Sequence, residues 1–292
     1  MAKLSRILVP VEFSPRCQGA VQYAEALAGY HPAEIVLLHV VSPPIAYFGS
    51  VDSTSWYTST EFLRDLEVER TAELAGFPCE APPGATVRRL VMQGDPARVI
   101  VETAAVEHCD LIVMPTHGYG PFRRFLLGSV TAKVLHDATC PVWTGPHMEN
   151  APAPAAVAFR RVLCAVDLGV HTRRVLCWAA QAAGDFAAEL AIVHVVPAAT
   201  ARLGPAYFDP EWRLMLIRQS RERIQFLKED MGVAGEVVVD SGEVGAVVRE
   251  VALERQDDLV VIGRGSSAHA HRRLPNHAYA IVRDAPCPVV SI

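Results

Sequence analysis

No apolar run in the 292-residue chain approaches the ~20 residues that a helix needs to cross a bilayer. The opening Met1-Ala2-Lys3-Leu4-Ser5-Arg6 carries no apolar leader and passes directly into a strand-like run, so a cytoplasmic location is expected. There is no long basic run either. Formal net charge is -5 with acid and base interspersed, so a nucleic-acid backbone finds no landing surface; neither nucleic acid nor membrane is an expected partner. None of the seven cysteines pairs in a C-x-x-C motif, and their number is odd. Several lie inside apolar runs such as Val162-Leu163-Cys164-Ala165-Val166, where a thiol behaves as a small hydrophobe. Free thiols in a reducing compartment are expected. The chain also lacks a G-x-S-x-G elbow, a Walker G-x-x-x-x-G-K-[S/T] loop and an H-E-x-x-H pair. No catalytic residue is assigned, and any ATPase activity would be slow.

What is present points to a well-filled fold. Hydrophobic residues make up 51% of the chain and charged ones only 20%, the reverse of a disordered composition. The length is about twice a common domain of ~100 to 150 residues, and the two halves repeat each other. Ile7-Leu8-Val9-Pro10-Val11-Glu12 returns 155 positions on as Val162-Leu163-Cys164-Ala165-Val166-Asp167, and His39-Val40-Val41 returns at the same shift as His194-Val195-Val196. Gly94-Asp95 matches Gly242-Glu243, Asp110-Leu111-Ile112-Val113 matches Asp258-Leu259-Val260-Val261, and Cys140-Pro141-Val142 matches Cys287-Pro288-Val289, at shifts of 148, 148 and 147. Five ordered matches with loop-sized slippage indicate an internal duplication. The expected division is a first domain over 1–146, a Pro/Ala-rich linker over 147–158 and a second domain over 159–292.

Short β-branched runs alternate with longer amphipathic segments, the pattern of a parallel sheet with crossover helices. In the first copy the strands are expected at about 6 to 11, 35 to 41, 86 to 91, 110 to 114 and 141 to 144, and the second copy repeats all five. The fold class is therefore α/β, two tandem Rossmann-like or flavodoxin-like domains, each a five-stranded parallel sheet with helices on both faces. Ligands of such sheets bind beyond the carboxyl ends of the strands, near the first one. That directs attention to Glu12-Phe13-Ser14-Pro15 and to the stretch from Pro115 to Ser129.

After the fourth strand the chain reads Met114-Pro115-Thr116-His117-Gly118, then nine residues, then Gly128-Ser129-Val130 and a helical pattern. A glycine-bearing loop running into a helix start suits an anion, because the first helical N–H groups lack intrahelical partners and the dipole end is positive. Arg123 and Arg124 add charge in the loop. The plainer reading of Gly128-Ser129 is a flexible residue followed by a helix cap, and of His117 a loop hydrogen-bonder.

Gly118-x9-Gly128-Ser129, placed after Asp110-Leu111-Ile112-Val113-Met114 and followed by Cys140-Pro141-Val142, resembles the ATP-binding class of the universal stress protein family, whose pattern is G-x-x-G-x9-G-[S/T]. The opening strand, the His-Val-Val strand end and the closing Ala-x-Cys-Pro-Val resemble that family in both copies. The resemblance implies ATP or ADP as ligand, with Mg2+ as companion ion. It places Pro10, Val11, Glu12 and Val40 beside adenine, and Met114, Pro115, Thr116, Gly118, Gly128, Ser129 and Val130 beside ribose and phosphates. Glu12 stands where the family usually has aspartate. Pro115 stands where the first glycine is expected and removes one N–H.

In the second copy Ile262-Gly263-Arg264-Gly265 is one residue shorter, and Pro275-Asn276 replaces Gly-Ser, so a sheet without a standard phosphate site is expected there. The resemblance also implies an intrachain pseudo-dimer, through closing strands such as Pro288-Val289-Val290-Ser291-Ile292, and association into a homodimer. Two other functions fit the residues: a ligand-free tandem scaffold for protein partners, and a metal site using His269, His271 and His277. The Ala46-Tyr47-Phe48 and Ala206-Tyr207-Phe208 segments read as packing or interface loops more readily than as lids.

Overall fold

Strands whose residues are apolar at every position must be covered on both faces. The structure, a computed structural model, describes residues 4–42, 55–117, 127–145, 148, 151–197, 210–264 and 276–292, and its sheet is built that way. β1 (Arg6–Pro10), β2 (Glu34–Val41), β3 (Thr86–Gln93), β4 (Leu111–Val113) and β5 (Val142–Thr144) form the first half. β6 (Arg161–Ala165), β7 (Glu189–Pro197), β8 (Glu236–Gly242), β9 (Leu259–Ile262) and β10 (Val289–Ser291) form the second. The order across the sheet is β3-β2-β1-β4-β5-β10-β9-β6-β7-β8. All pairings within a half are parallel. The order 3-2-1-4-5 is the Rossmann one, in which successive strands are added to one side of β1 up to β3 and then to its other side from β4; a flavodoxin-like order would have set the third strand beside the first.

The helices are α1 (Pro15–Tyr30), α2 (Ser55–Ala75), α3 (Pro96–Val106), α4 (Ser129–Asp137), α5 (Thr172–Phe186), α6 (Pro210–Met231), α7 (Val244–Arg255) and α8 (Asn276–Asp284). The period-two alternation of the strands sorts the core into two layers. Ile7, Val9, Ile35, Leu37, Leu111 and Val113 pack with Ala20, Ala24 and Leu27 of α1 on one face. Leu8, Val36, Ile112 and Val142 pack with Ile100 of α3 and Val134 and Leu135 of α4 on the other. The second half repeats this arrangement with α5 on one face and α7 and α8 on the other.

Two of the repeated sequence pairs have local physical reasons. Asp95 and Glu243 are N-caps: Asp95 accepts from the Arg98 N–H at 3.0 Å, and Glu243 from the N–H groups of Gly245 and Ala246 at 3.1 and 2.7 Å. The Arg98 N–H holds the Asp95 carboxyl below its usual pKa. Asp110 accepts from the N–H groups of Ser5 and Arg6 at 2.7 and 2.9 Å, and Asp258 does the same for Arg160 and Arg161 at 2.7 and 2.9 Å. Each of these acids ties the start of the fourth strand of its half to the start of the first.

The halves meet through one antiparallel seam, β5 against β10, with Trp143 opposite Val290. Beside it Trp143 stands edge-on to Phe159 at 5.2 Å, and Phe159 packs on Phe186 at 4.6 Å. Tyr30 of α1 packs edge-on against Phe186 at 4.9 Å. The segment between the halves is a packed element: it holds a 3-10 turn at Pro154–Ala156, with Met148, Val157 and Phe159 buried. Gly19 of α1 permits this approach, because a Cβ there would fall 1.6 Å from the Met148 carbonyl oxygen.

One buried group works against the fold. The Asp257 side chain has no exposed surface, finds no hydrogen-bond partner among the described residues, and lies 3.4 Å from Arg255 Nε. Burial pushes its pKa up to about 6, Arg255 pulling the other way. Because this folded pKa exceeds the ordinary value, the neutral acid suits the fold. Its own contribution is therefore least unfavourable below about pH 4, becomes more unfavourable as pH rises to about 6, and is constant above. Asp257→Asn is expected to raise stability at pH 7 by on the order of 1 kcal/mol and to shift the slope of stability against pH between about 4 and 6 upward relative to the wild type. Denaturant titrations across that range would show it, and an unchanged slope would contradict it.

Candidate functional site

The crevice expected where strand order reverses is there: a cleft of about 320 Å³ at the carboxyl ends of β1, β2 and β4. A small-molecule pocket has a volume of about 300 to 1,000 Å³. Pro10, Val11 and Glu12 enter it from the end of β1, Leu38, His39 and Val40 from β2, Met114 and Pro115 from the end of β4, and Gly128, Ser129, Val130 and Thr131 from the start of α4. Most of its wall is apolar, with the helix start as its polar end.

The β1 end is set by tight local geometry. Phe13 adopts φ 64°, in the left-handed region, and Leu168 does the same in the second half at φ 57°. This sharp turn lets Ser14 and Pro15 open α1 immediately. Glu12 does not extend into the cleft unattached: its Oε1 accepts from the Ser14 hydroxyl at 3.0 Å. Below it, the Cys17 Sγ receives the Glu12 N–H at 3.2 Å, and burial pushes the Cys17 thiol pKa up, so it remains a protonated wall group.

His39 fixes the β2 side. Its Nδ1 lies 2.7 Å from the Val11 carbonyl oxygen, which can only accept, so Nδ1 carries the proton and Nε2 is an acceptor in the neutral ring. Burial lowers its pKa. His194 makes the same bond to the Val166 oxygen at 2.8 Å, so the repeated His-Val-Val is a device that ties the second strand end to the first.

The start of α4 supplies the donors. Ala132 N–H is the first to close a bond within the helix, to the Gly128 oxygen at 2.8 Å. The N–H groups of Ser129, Val130 and Thr131 therefore precede the intrahelical ladder. The Gly128 N–H is not among the free donors, because it bonds the Thr116 oxygen at 2.8 Å. Gly128 eases the close approach: a Cβ there would lie 3.3 Å from both the Thr116 oxygen and His117 Cα, a tight contact. Pro115 lacks a donor, yet its carbonyl accepts from the Thr131 hydroxyl at 3.0 Å and ties the loop to the helix.

Of the residues expected at the site, Thr116 differs. It is buried, with its hydroxyl 2.9 Å from His117 Nδ1 and 3.4 Å from the Gly145 oxygen, so it supports the loop from behind and does not line the cleft. Gly118, Arg123 and Arg124 lie outside the described residues, as do His269, His271, Gly265, Pro275 and the two Ala-Tyr-Phe segments. Sequence reasoning missed His39, Cys17, Leu38, Ile100 and Thr131 as wall residues; only the histidine had a signal, its return in the second copy.

The second half holds an equivalent cleft of about 260 Å³, lined among others by Val166, Asp167, His194, Val195, Gly263 and His277. Asp167 accepts from the Gly169 N–H at 2.8 Å and the Thr172 hydroxyl at 3.3 Å. Among the described residues, no group of three His, Cys, Asp or Glu side chains is placed to hold a metal ion, and no helix is long and apolar enough to cross a membrane.

The family model described as "Universal stress protein family" matches residues 3–144 and again 158–292. A universal stress protein of Thermus aquaticus is 33% identical over 137 residues, covering 47% of this chain and 94% of that relative. The crystal structure of a universal stress protein from Archaeoglobus fulgidus shares the fold at TM-score 0.64 and 22% identity, covering 98% of this chain and 95% of that one. A universal stress protein from Archaeoglobus fulgidus in complex with dAMP aligns over 47% of this chain and 99% of its own, at 20% identity and TM-score 0.36.

Proposed function

The chain belongs to the universal stress protein family, with two family domains in one polypeptide, and from that premise we propose that its first half binds an adenine nucleotide, ATP or ADP, while its second half binds no phosphate. The observation that carries this reading is one cleft that joins an apolar slot to a helix start. Val11, Val40 and Met114 offer the slot, which suits a flat, weakly hydrated base. Ser129, Val130 and Thr131 offer three N–H groups at the positive end of α4, and the exposed residue Ser129 adds a hydroxyl. Phosphate oxygens accept such bonds.

The long Glu12 side chain is drawn back by Ser14, which supports an adenine pose not crowded by the extra methylene. An accompanying Mg2+ would be held chiefly by the phosphates themselves, as that ion usually is. In the second half the apolar slot persists, but Pro275 stands where Gly128 would be matched. The reading assigns no catalytic base and makes the protein a nucleotide-responsive regulator in a cytoplasmic setting.

Calorimetric titration with ATP, ADP and adenosine tests it. Two or three charged hydrogen bonds at α4 predict that ATP and ADP bind tighter than adenosine by roughly 30-fold or more. Equal affinities would remove α4 from the site. No binding of any of the three at millimolar concentration would leave a ligand-free scaffold as the function.

A further inference from the structure

The helix that carries the candidate phosphate donors is gripped at both ends by the other half of the chain. At its start, the Leu127 N–H, one residue before the Gly128 cap, donates to the Tyr279 hydroxyl of α8 at 3.2 Å across 152 residues of sequence. At its end, Arg264, the second residue after β9, donates to the carbonyl oxygens of Ala138, which caps α4, and of Cys140. The same guanidinium reaches Ser291 of β10, its carbonyl oxygen at 3.2 Å and its hydroxyl at 3.3 Å. A guanidinium at a helix C-terminus satisfies orphan carbonyls and complements the dipole. These partners are neutral oxygens, and burial pushes the Arg264 pKa down to about 10.

Among the described residues, the first-half counterparts of Tyr279 and Arg264 do not mirror the grip. The duplication shift of 147 sets Ala132 opposite Tyr279, and the shift of 148 sets Thr116 opposite Arg264. An alanine has no hydroxyl, and the Thr116 side chain bonds its own half at His117 and Gly145. Neither can return the contact to α8. The half that lost its Gly-Ser start therefore holds the helix of the half that kept it.

We propose that Tyr279 and Arg264 are positioning residues for the first-half nucleotide site, fixing α4 so that its first N–H groups face the phosphates. The second half thus acts as a clamp on its neighbour's ligand loop. This rests on the nucleotide reading above and deepens it. Leu127 held by Tyr279 stops the start of α4 from fraying, and Arg264 stops the helix from sliding along its axis. Both restraints matter to a charged ligand at the helix start and not to a base in the apolar slot.

Tyr279→Phe in the full-length chain deletes one hydroxyl from a half-buried ring. Two measurements are needed. In the nucleotide-free protein, amide hydrogen exchange at Leu127 should speed up by about tenfold with the global denaturation midpoint unchanged. In titrations, ATP affinity should fall about fivefold, the loss expected for one net hydrogen bond, while adenosine affinity stays as in the wild type. Arg264→Lys, which cannot bridge Ala138, Cys140 and Ser291 together, should weaken ATP in the same phosphate-dependent way. Unaltered Leu127 exchange in Tyr279→Phe would overturn the contact. Faster exchange with unaltered ATP affinity would overturn its positioning role. A wild type that binds no ATP would overturn the nucleotide reading and this role with it, and the exchange rates would still report whether the contact exists.

Discussion

Gly128→Val is expected to lower ATP affinity about 100-fold or more while leaving the chain folded. Gly128 has φ of -61°, a conformation open to any residue, so the cost is one of space and not of backbone strain. Its Cβ alone would sit 3.3 Å from the Thr116 oxygen and from His117 Cα, and the loop can yield by a few tenths of an ångström. Gly128→Ala should therefore weaken ATP only severalfold. Valine adds two branches at that point and must push α4 away from the β4 loop, breaking the Gly128 N–H bond to Thr116. Misplacing two charged hydrogen bonds at about 1.5 to 3 kcal/mol each corresponds to the expected loss. Adenosine titration is the control: its affinity should change little, and equal losses for both ligands would mean that valine had collapsed the whole cleft.

Trp143→Ala is expected to cost about 3 to 5 kcal/mol of stability, the range for emptying a buried tryptophan site. Trp143 is fully buried in β5 at the seam, opposite Val290 and against Phe159 and Tyr23. Its loss opens a cavity where both halves share one core layer, so the unfolding midpoint of the entire chain should fall. Trp143→Phe should cost far less. It refills much of the volume and removes an indole N–H that has no hydrogen-bond partner among the described residues, a group whose burial is itself unfavourable by about 1 to 3 kcal/mol. Chemical denaturation of the two variants side by side separates these contributions. A Trp143→Phe variant as damaged as Trp143→Ala would mean that the ring's size, and not the unpaired N–H, governs the site.

The duplication made most of the architecture legible in the sequence. Runs such as Ile35-Val36-Leu37-Leu38 are buried at all four positions, and the expected strand limits differ from the observed ones by a residue or two. Repeated short matches marked working contacts: the Gly-acid pairs are helix caps, the Asp110 and Asp258 pairs anchor strand starts, and the histidines tie strand ends together. Contacts that depend on the fold itself left no such mark. Nothing in Met114-Pro115-Thr116-His117 indicates that Thr116 turns behind the loop, because that follows from the position of Gly145 at the end of β5. The use of the Gly128 N–H by Thr116 is equally hidden, as it needs the loop to close on the helix. Arg264 and Tyr279 reach residues 124 to 152 positions away, and they have no counterpart in the first copy to draw attention. The Pro/Ala segment read as a spacer, yet the glycine at position 19 lets it pack on α1.

The first-half cleft should hold one nucleotide per chain. Native mass spectrometry of the full-length protein with excess ATP, repeated on Gly128→Val, measures this directly. With ATP held only about tenfold above the wild-type Kd, a single mass increment of one ATP per chain is expected in the wild type and an occupancy of roughly a tenth or less in the variant. Two ATP per chain, or wild-type occupancy in Gly128→Val, would contradict a single site in the first half.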